Sequence, residues 1–174
     1  ARLVDKSLVR LERGPLARYD MLSLLREYAE KRLHESSGLA DASQQHLDYF
    51  AELALRAEDG LSGSSQAEWL AVLDVEHDNL QAALSWARRS EQAELGLRTA
   101  AALWRYWYVR GLFSEGREQL GRLLASSAPD TPSPGRAKAL HAAGTLAGQQ
   151  GDVEASTALL EESVATHRQL GDPA

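Results

Sequence analysis

Residues 139–165 read ALHAAGTLAGQQGDVEASTALLEESVA, and the reading of this stretch decides the fold. Its first half places Leu140, Gly144 and Ala147 at helical spacing. Gly151-Asp152 interrupts the pattern, and Val153 and Leu160 resume it. A helix, a glycine turn and a second helix are the reading. A search for self-similarity extends it. Shifted back by forty residues, Gly151 falls on Gly111, Val153 on Phe113, Leu160 on Leu120 and Ala147 on Trp107. The same helix–glycine–helix unit is therefore expected twice, with helices over about 92–110 and 113–126, then 136–149 and 153–169. The stretch 129–135, PDTPSPG, is the loop between the two units.

Working outward, only helices are expected from Asp41 onward. Leu47, Phe50, Ala51, Ala54, Ala57 and Leu61 form one apolar stripe, which LSGSS (61–65) ends. Trp69, Leu73, His77, Leu80, Leu84 and Ala87 step by three and four. They belong to one helix or to two, and Asp78 with Gln81 would be a capping pair for a break near 76–78. Upstream, RLVDKSLV (2–9) reads as a short helix. VRLE (9–12) and RYDM (18–21) alternate apolar and charged residues, as strands do, with a Gly-Pro turn in RGPLA (13–17) between them. SLLREYAEKRL (23–33) follows as a helix with Leu24, Leu25, Tyr28, Ala29 and Leu33 on one stripe and Ser23 as N-cap. ESSGLAD (35–41) has the composition of a linker.

Composition narrows the function. The chain has 174 residues, 44% of them hydrophobic and spread along its length, enough for a folded core. It has no apolar run of membrane-spanning length and no secretory leader pattern. It has no cysteine, which excludes disulfides and Cys-ligated zinc and fits a cytoplasmic setting. Residues 1–33 carry a net +3 and residues 34–174 a net −9, so a DNA-coating surface is not expected. The chain opens without Met and stops in Leu-Gly-Asp-Pro-Ala, so a fragment of a longer protein is expected. Catalytic motifs are missing: no GxSxG, no HExxH, and His34, His46, His77, His141 and His167 are scattered. His77 is expected as a boundary histidine with a satisfied hydrogen bond, and Glu161-Glu162 as solvated surface. The expectation is a non-enzyme with no metal and no cofactor in this segment.

Four of the chain's aromatic residues fall in LWRYWYVRG, residues 103–111. On a helix Trp104, Trp107 and Tyr108 share a broad face, with Arg105 to one side and Tyr106 and Arg110 on the other. Trp104 and Trp107 are expected in the core. Arg105 and Tyr108 are the better candidates for a partner, because a guanidinium beside a ring holds a carboxylate, a phosphate or another ring.

The stretch 139–165 resembles a tetratricopeptide (TPR) repeat: Leu140, Gly144, Ala147, Gly151, Val153 and Leu160 match the pattern, while Ser156 and Ser163 stand where alanine is usual. In the first unit Trp104 occupies the small-residue position. The expected fold is thus mostly α, an α-α superhelix of TPR-like repeats preceded by a partial winged-helix hairpin. The resemblance implies that the first helix of each unit lines a concave groove, at Arg98, Ala101, Arg105 and Tyr108, then Lys138, His141, Thr145 and Gln149. Ordinary solvated surface is the alternative for these residues.

LVDKSLVRLE…RYDMLSLLREYAEKRL, then HLDYFAELA and WLAVLDVEHDNLQAALSWA, resembles bacterial STAND-class ATPases of the LuxR-related transcriptional regulators. That resemblance implies the end of a winged helix over 1–34, a linking helical bundle over 41–90 and TPR-like repeats over 91–174. It implies a sensor region that binds a protein or small-molecule effector and contacts an upstream nucleotide-binding domain, with ATP or ADP in the parent protein. Many members carry a histidine just after the second wing strand. Leu22 stands there, so no nucleotide contact is carried over, and no GxxxxGK[ST] loop is present. Two alternatives stay open: a nucleic-acid-binding winged-helix fragment, with DNA disfavoured by the charge, and a free-standing helical-repeat adaptor. No membrane partner is expected.

Overall fold

The structure, a computed structural model, describes residues 2–12, 18–35, 38–128 and 131–171. Helices dominate, and two compact units divide between Ala42 and Ser43.

The first unit contains α1 (Arg2–Asp5), β1 (Arg10–Glu12), β2 (Arg18–Asp20) and α2 (Ser23–Glu35). The strands pair antiparallel, Arg10 with Asp20, Leu11 with Tyr19 and Glu12 with Arg18, as the alternation predicts. The turn predicted at 13–17 lies outside the described residues. The helix predicted over 2–9 stops at Asp5, because Ser7 adopts φ 56° and its N–H bonds the Val4 carbonyl at 2.9 Å. Ser23 is the first residue of α2, not its cap; the Leu22 carbonyl accepts the Arg26 N–H at 2.9 Å. The predicted stripe on α2 is not sealed, since Leu24 and Tyr28 are exposed and the Arg32 guanidinium lies 5.6 Å from the Tyr28 ring centre.

α3 (Leu39–Gly60) starts inside the predicted linker. Leu, Ala and Asp at 39–41 continue into a strongly helical run, and the Ala42 N–H bonds the Gly38 carbonyl. From Ser43 the chain builds the second unit with α4 (Gln66–Val75), α5 (His77–Arg89), α6 (Ala93–Ala102), α7 (Trp104–Arg110), α8 (Phe113–Ser126), α9 (Pro134–Gln149) and α10 (Val153–Gln169). The α4–α5 break falls at Glu76, inside the predicted window. The predicted Asp78–Gln81 capping pair does not cap α5: the cap is Glu76, and the Gln81 amide instead donates to Glu115 of α8. The helix predicted over 92–110 is interrupted at Leu103, where one N–H is shared between the Thr99 and Ala100 carbonyls at 3.3 and 3.1 Å. That is a locally tightened turn of one rod.

The forty-residue correspondence reappears as geometry. Gly111 and Gly151 both take positive φ, 69° and 78°. The Gly111 N–H bonds the Tyr108 carbonyl and the Leu112 N–H the Trp107 carbonyl; the Gly151 N–H bonds Gly148 and the Asp152 N–H bonds Ala147. Both turns are the same glycine-terminated helix stop. α9 packs against α10, α8 and α6, and its Ala139, Leu140, Ala142, Ala143, Leu146 and Ala147 are buried. Size complementarity sets these crossings. Gly116 lies under the Trp107 ring, and Gly144 lies against Leu160. Ser163, which departs from the usual alanine, is buried and donates its hydroxyl to the Ala137 carbonyl at 2.8 Å. Glu162, expected as plain solvated surface, accepts from the buried Arg136 at 2.7 Å.

α9 begins two residues earlier than predicted. Ser133 caps it through the Arg136 N–H, Pro134 takes the first turn, and Glu94 of α6 accepts the Gly135 N–H at 2.9 Å. At the start of α10, Asp152 accepts the Ala155 N–H at 3.2 Å and pairs with Arg117 of α8 at 2.7 Å. The Arg117 hydrogen bond, with the backbone bond behind it, holds the Asp152 carboxyl below its ordinary range. A carboxyl lowered on folding adds stability above its unfolded pKa, and that stability is lost as pH falls through the folded value. Asp152→Asn is therefore expected to flatten the acid limb of a stability-versus-pH curve, followed by urea unfolding between neutral and acid pH. An unchanged acid limb would remove this pair from the account.

Candidate functional site

The aromatic stretch on α7 divides. Trp107 is buried at 1% exposure, and its indole N–H donates to Glu115 Oε1 at 3.1 Å. Tyr106 is buried as well. Trp104 corrects the expectation of a core residue: it is half-buried, with one side on the core and the other lining a surface depression. The reason is its neighbours. Tyr108 stands edge-on at 5.9 Å, His141 of α9 edge-on at 6.4 Å, and the Arg105 guanidinium lies 4.6 Å from the ring centre. Tyr108 is exposed, although helical phase puts it on the same broad face as the buried Trp107.

Two depressions meet at Glu58 and Lys138. The first, about 530 Å³, is lined by Leu55 and Glu58 of α3, Glu94 and Arg98 of α6, and Pro134 and Lys138 of α9. The second, about 290 Å³, adds Ala101, Trp104, His141 and His167. Of the predicted groove residues, Arg98, Lys138 and His141 are thus brought together, and Arg105 and Tyr108 flank Trp104 beside them. Thr145 and Gln149 line neither depression. The Thr145 hydroxyl donates to the His141 carbonyl on its own helix at 2.9 Å, and Gln149 lies exposed at the far end of α9. Sequence reasoning missed Leu55 and Glu58 of α3, Glu94, and His167 of α10. The Lys138 ammonium sits 3.3 Å from Glu58 Oε1. These two residues are eighty positions apart, and no local spacing signals their meeting.

A separate polar cluster joins α4, α5, α7 and α8 around a depression of about 380 Å³. His77 Nδ1 lies 3.3 Å from the Tyr106 hydroxyl, and Nε2 lies 3.5 Å from Glu115. Arg110 of α7 grips Asp74 of α4 with two nitrogens. Burial, then the Asp74 charge, pushes the Tyr106 phenol up to about 12, so it stays protonated and available as a donor. His77 is the hydrogen-bonded boundary histidine that the sequence predicts. Among the described residues no group of three or more His, Asp or Glu side chains is placed to hold a metal ion, and no helix is long and apolar enough to cross a membrane.

The chain is similar to HTH-type transcriptional regulators of Mycobacterium bovis and of two strains of Mycobacterium tuberculosis, at 34% identity over 124 residues. The match covers 70% of this chain but only 14% of each relative, so the chain corresponds to a small part of those proteins. No family model and no solved structure matches it.

Proposed function

We propose that this chain is the non-catalytic sensor region of a larger transcriptional regulator of the STAND, LuxR-related class. It binds a protein or small-molecule effector at the meeting of α3, α6, α7 and α9. The observation that carries this reading is that Arg98 and Lys138 line one depression, and Lys138 and His141 line an adjoining one beside Trp104. The paired helical units, with their matching glycine stops, act as TPR-like repeats. Residues 1–34 end a winged helix, and the upstream part of the parent holds ATP or ADP in a cytoplasmic protein. Similarity to transcriptional regulators supports the regulatory half of the reading.

An effector shifts such a regulator only through a difference in affinity between two states. The joint substitution Arg98→Ala and Lys138→Ala in the parent regulator is expected to abolish effector-dependent output, measured with a reporter gene. Basal expression and the thermal unfolding midpoint should stay unchanged, because both side chains are exposed. A full response from the double variant would end the groove assignment.

A second reading is favoured by two observations. The β1–β2 hairpin is present, and the relatives carry HTH-type names. Residues 1–34 would then touch DNA, with the exposed Arg10 as one contact. A DNA titration whose affinity falls steeply with salt supports it, and a flat salt response rules it out.

A further inference from the structure

The chain carries a net charge of −6, yet five of the seven ionisable side chains at the two depressions are basic. Arg98 and Lys138 line the first, His141 and His167 line the second, and Arg105 sits on Trp104 at its edge. Two carboxylates face them. Glu94 is committed to the start of α9, where it accepts the Gly135 N–H and the Ser133 hydroxyl. Glu58 reaches in from α3, lines both depressions, and meets Lys138 at 3.3 Å. That pair is partly exposed, at 33% for Glu58 and 55% for Lys138, and such pairs are weakly held.

We propose that the depression takes an acidic segment of polypeptide, and that in the free protein Glu58 occupies the place of one of its carboxylates. The proposal rests on the groove reading above and names its partner. Charge complementarity selects an anionic occupant. Apolar Leu55, Ala101, Pro134 and Trp104 line the same depressions as the cations, which suits a chain carrying both acidic and apolar side chains. A nucleic acid fits less well, because its phosphates recur at every nucleotide and would meet Glu58, Glu94 and the acidic bulk of the unit. Arg105 strengthens the match: its guanidinium lies over the Trp104 ring, and a stacked guanidinium can still grip a carboxylate through its edge. Binding exchanges one carboxylate for another at Lys138 and releases Glu58, so occupancy is felt by α3.

The test uses the full chain and fluorescence anisotropy. One labelled peptide alternates Asp and Glu with Leu and Phe. A second replaces its acids by Asn and Gln, and an unlabelled mixed-sequence single-stranded oligonucleotide serves as competitor. The acidic peptide is expected to bind, more weakly as salt rises. Lys138→Ala should weaken it by about tenfold, as loss of a charge-assisted contact does. Glu58→Gln should tighten it by about two- to fivefold, the scale of an exposed ion pair. Unchanged or weaker binding by Glu58→Gln overturns the place-holder role. Equal binding of the neutral peptide overturns the acidic partner while leaving the groove standing. Displacement by the oligonucleotide at lower concentration than by unlabelled peptide overturns it in favour of nucleic acid. No binding of either peptide also overturns it, and the reporter response of the Arg98/Lys138 double variant then tells whether the groove reading falls too.

Discussion

Changing Trp107 to alanine is expected to lower stability by about 3–5 kcal/mol, the range for large aromatic side chains removed from a packed core. The ring is 1% exposed. A Cβ built on Gly116 would lie 2.9 Å from two of its carbons and 2.7 Å from Leu146 Cδ1, so α7, α8 and α9 close on the indole without spare room. Removing it leaves a cavity walled by three helices that cannot all collapse inward. It also takes a donor from Glu115, a partly buried carboxylate that accepts from the indole N–H and from Gln81. Urea unfolding of the chain measures the loss. Trp107→Phe should cost less, since it fills most of the space but supplies no N–H. A loss below about 1 kcal/mol for the alanine variant would mean that the ring is not what holds these helices together.

The second large effect is expected at Gly144. Its absent Cβ would meet Leu160 Cγ at 2.9 Å, Leu160 Cδ2 at 3.1 Å and the Ser156 backbone oxygen at 3.2 Å. A leucine branch point has little freedom in a helix, and a backbone oxygen has less. Gly144→Val therefore forces α9 and α10 apart and is expected to destabilise by about 1–3 kcal/mol, as overpacking does. Helix propensity works the other way, because glycine inside a helix costs up to about 1 kcal/mol. Gly121 separates the two effects: it lies in α8, and a methyl group added there would meet nothing within 4 Å, so Gly121→Ala gains the propensity without the clash. Opposite signs in thermal unfolding support the crossing as described. Equal stabilisation of both variants would refute close packing at Gly144.

These two sites show what a linear sequence displays and what it hides. The glycine stops at 111 and 151 and the span of α10 were legible, because a positive φ and a helical period leave local marks. The hairpin pairing was legible from alternation. The start of α3 was not: Ser-Ser-Gly before Leu39 has loop composition, and the pull of the long helix behind it outweighs that. Trp104 was only half legible, because helical phase tells which side a residue faces, not how fully its neighbours cover it. Of the residues expected to line a groove, Arg98, Lys138 and His141 border the two depressions, whereas Thr145 and Gln149 lie elsewhere. Glu58 and Leu55 were invisible. They come from α3, far from the other lining residues in sequence, and the contact between Glu58 and Lys138 depends on tertiary packing alone.

Glu94 gives the α8–α9 connection an unusual freedom. The start of α9 is moored by a carboxylate on α6 through the Gly135 N–H and Ser133. The position of α9 is therefore set by a cross-tie and by its buried face, not by the length of the segment that leads into it. Lengthening a surface connection costs chain entropy only logarithmically. Residues could be inserted between Ser127 and Thr131 with the cross-tie intact. Related chains can then differ in length there while α9 presents Lys138 and His141 at the same place, and that connection is where this architecture has room to diversify.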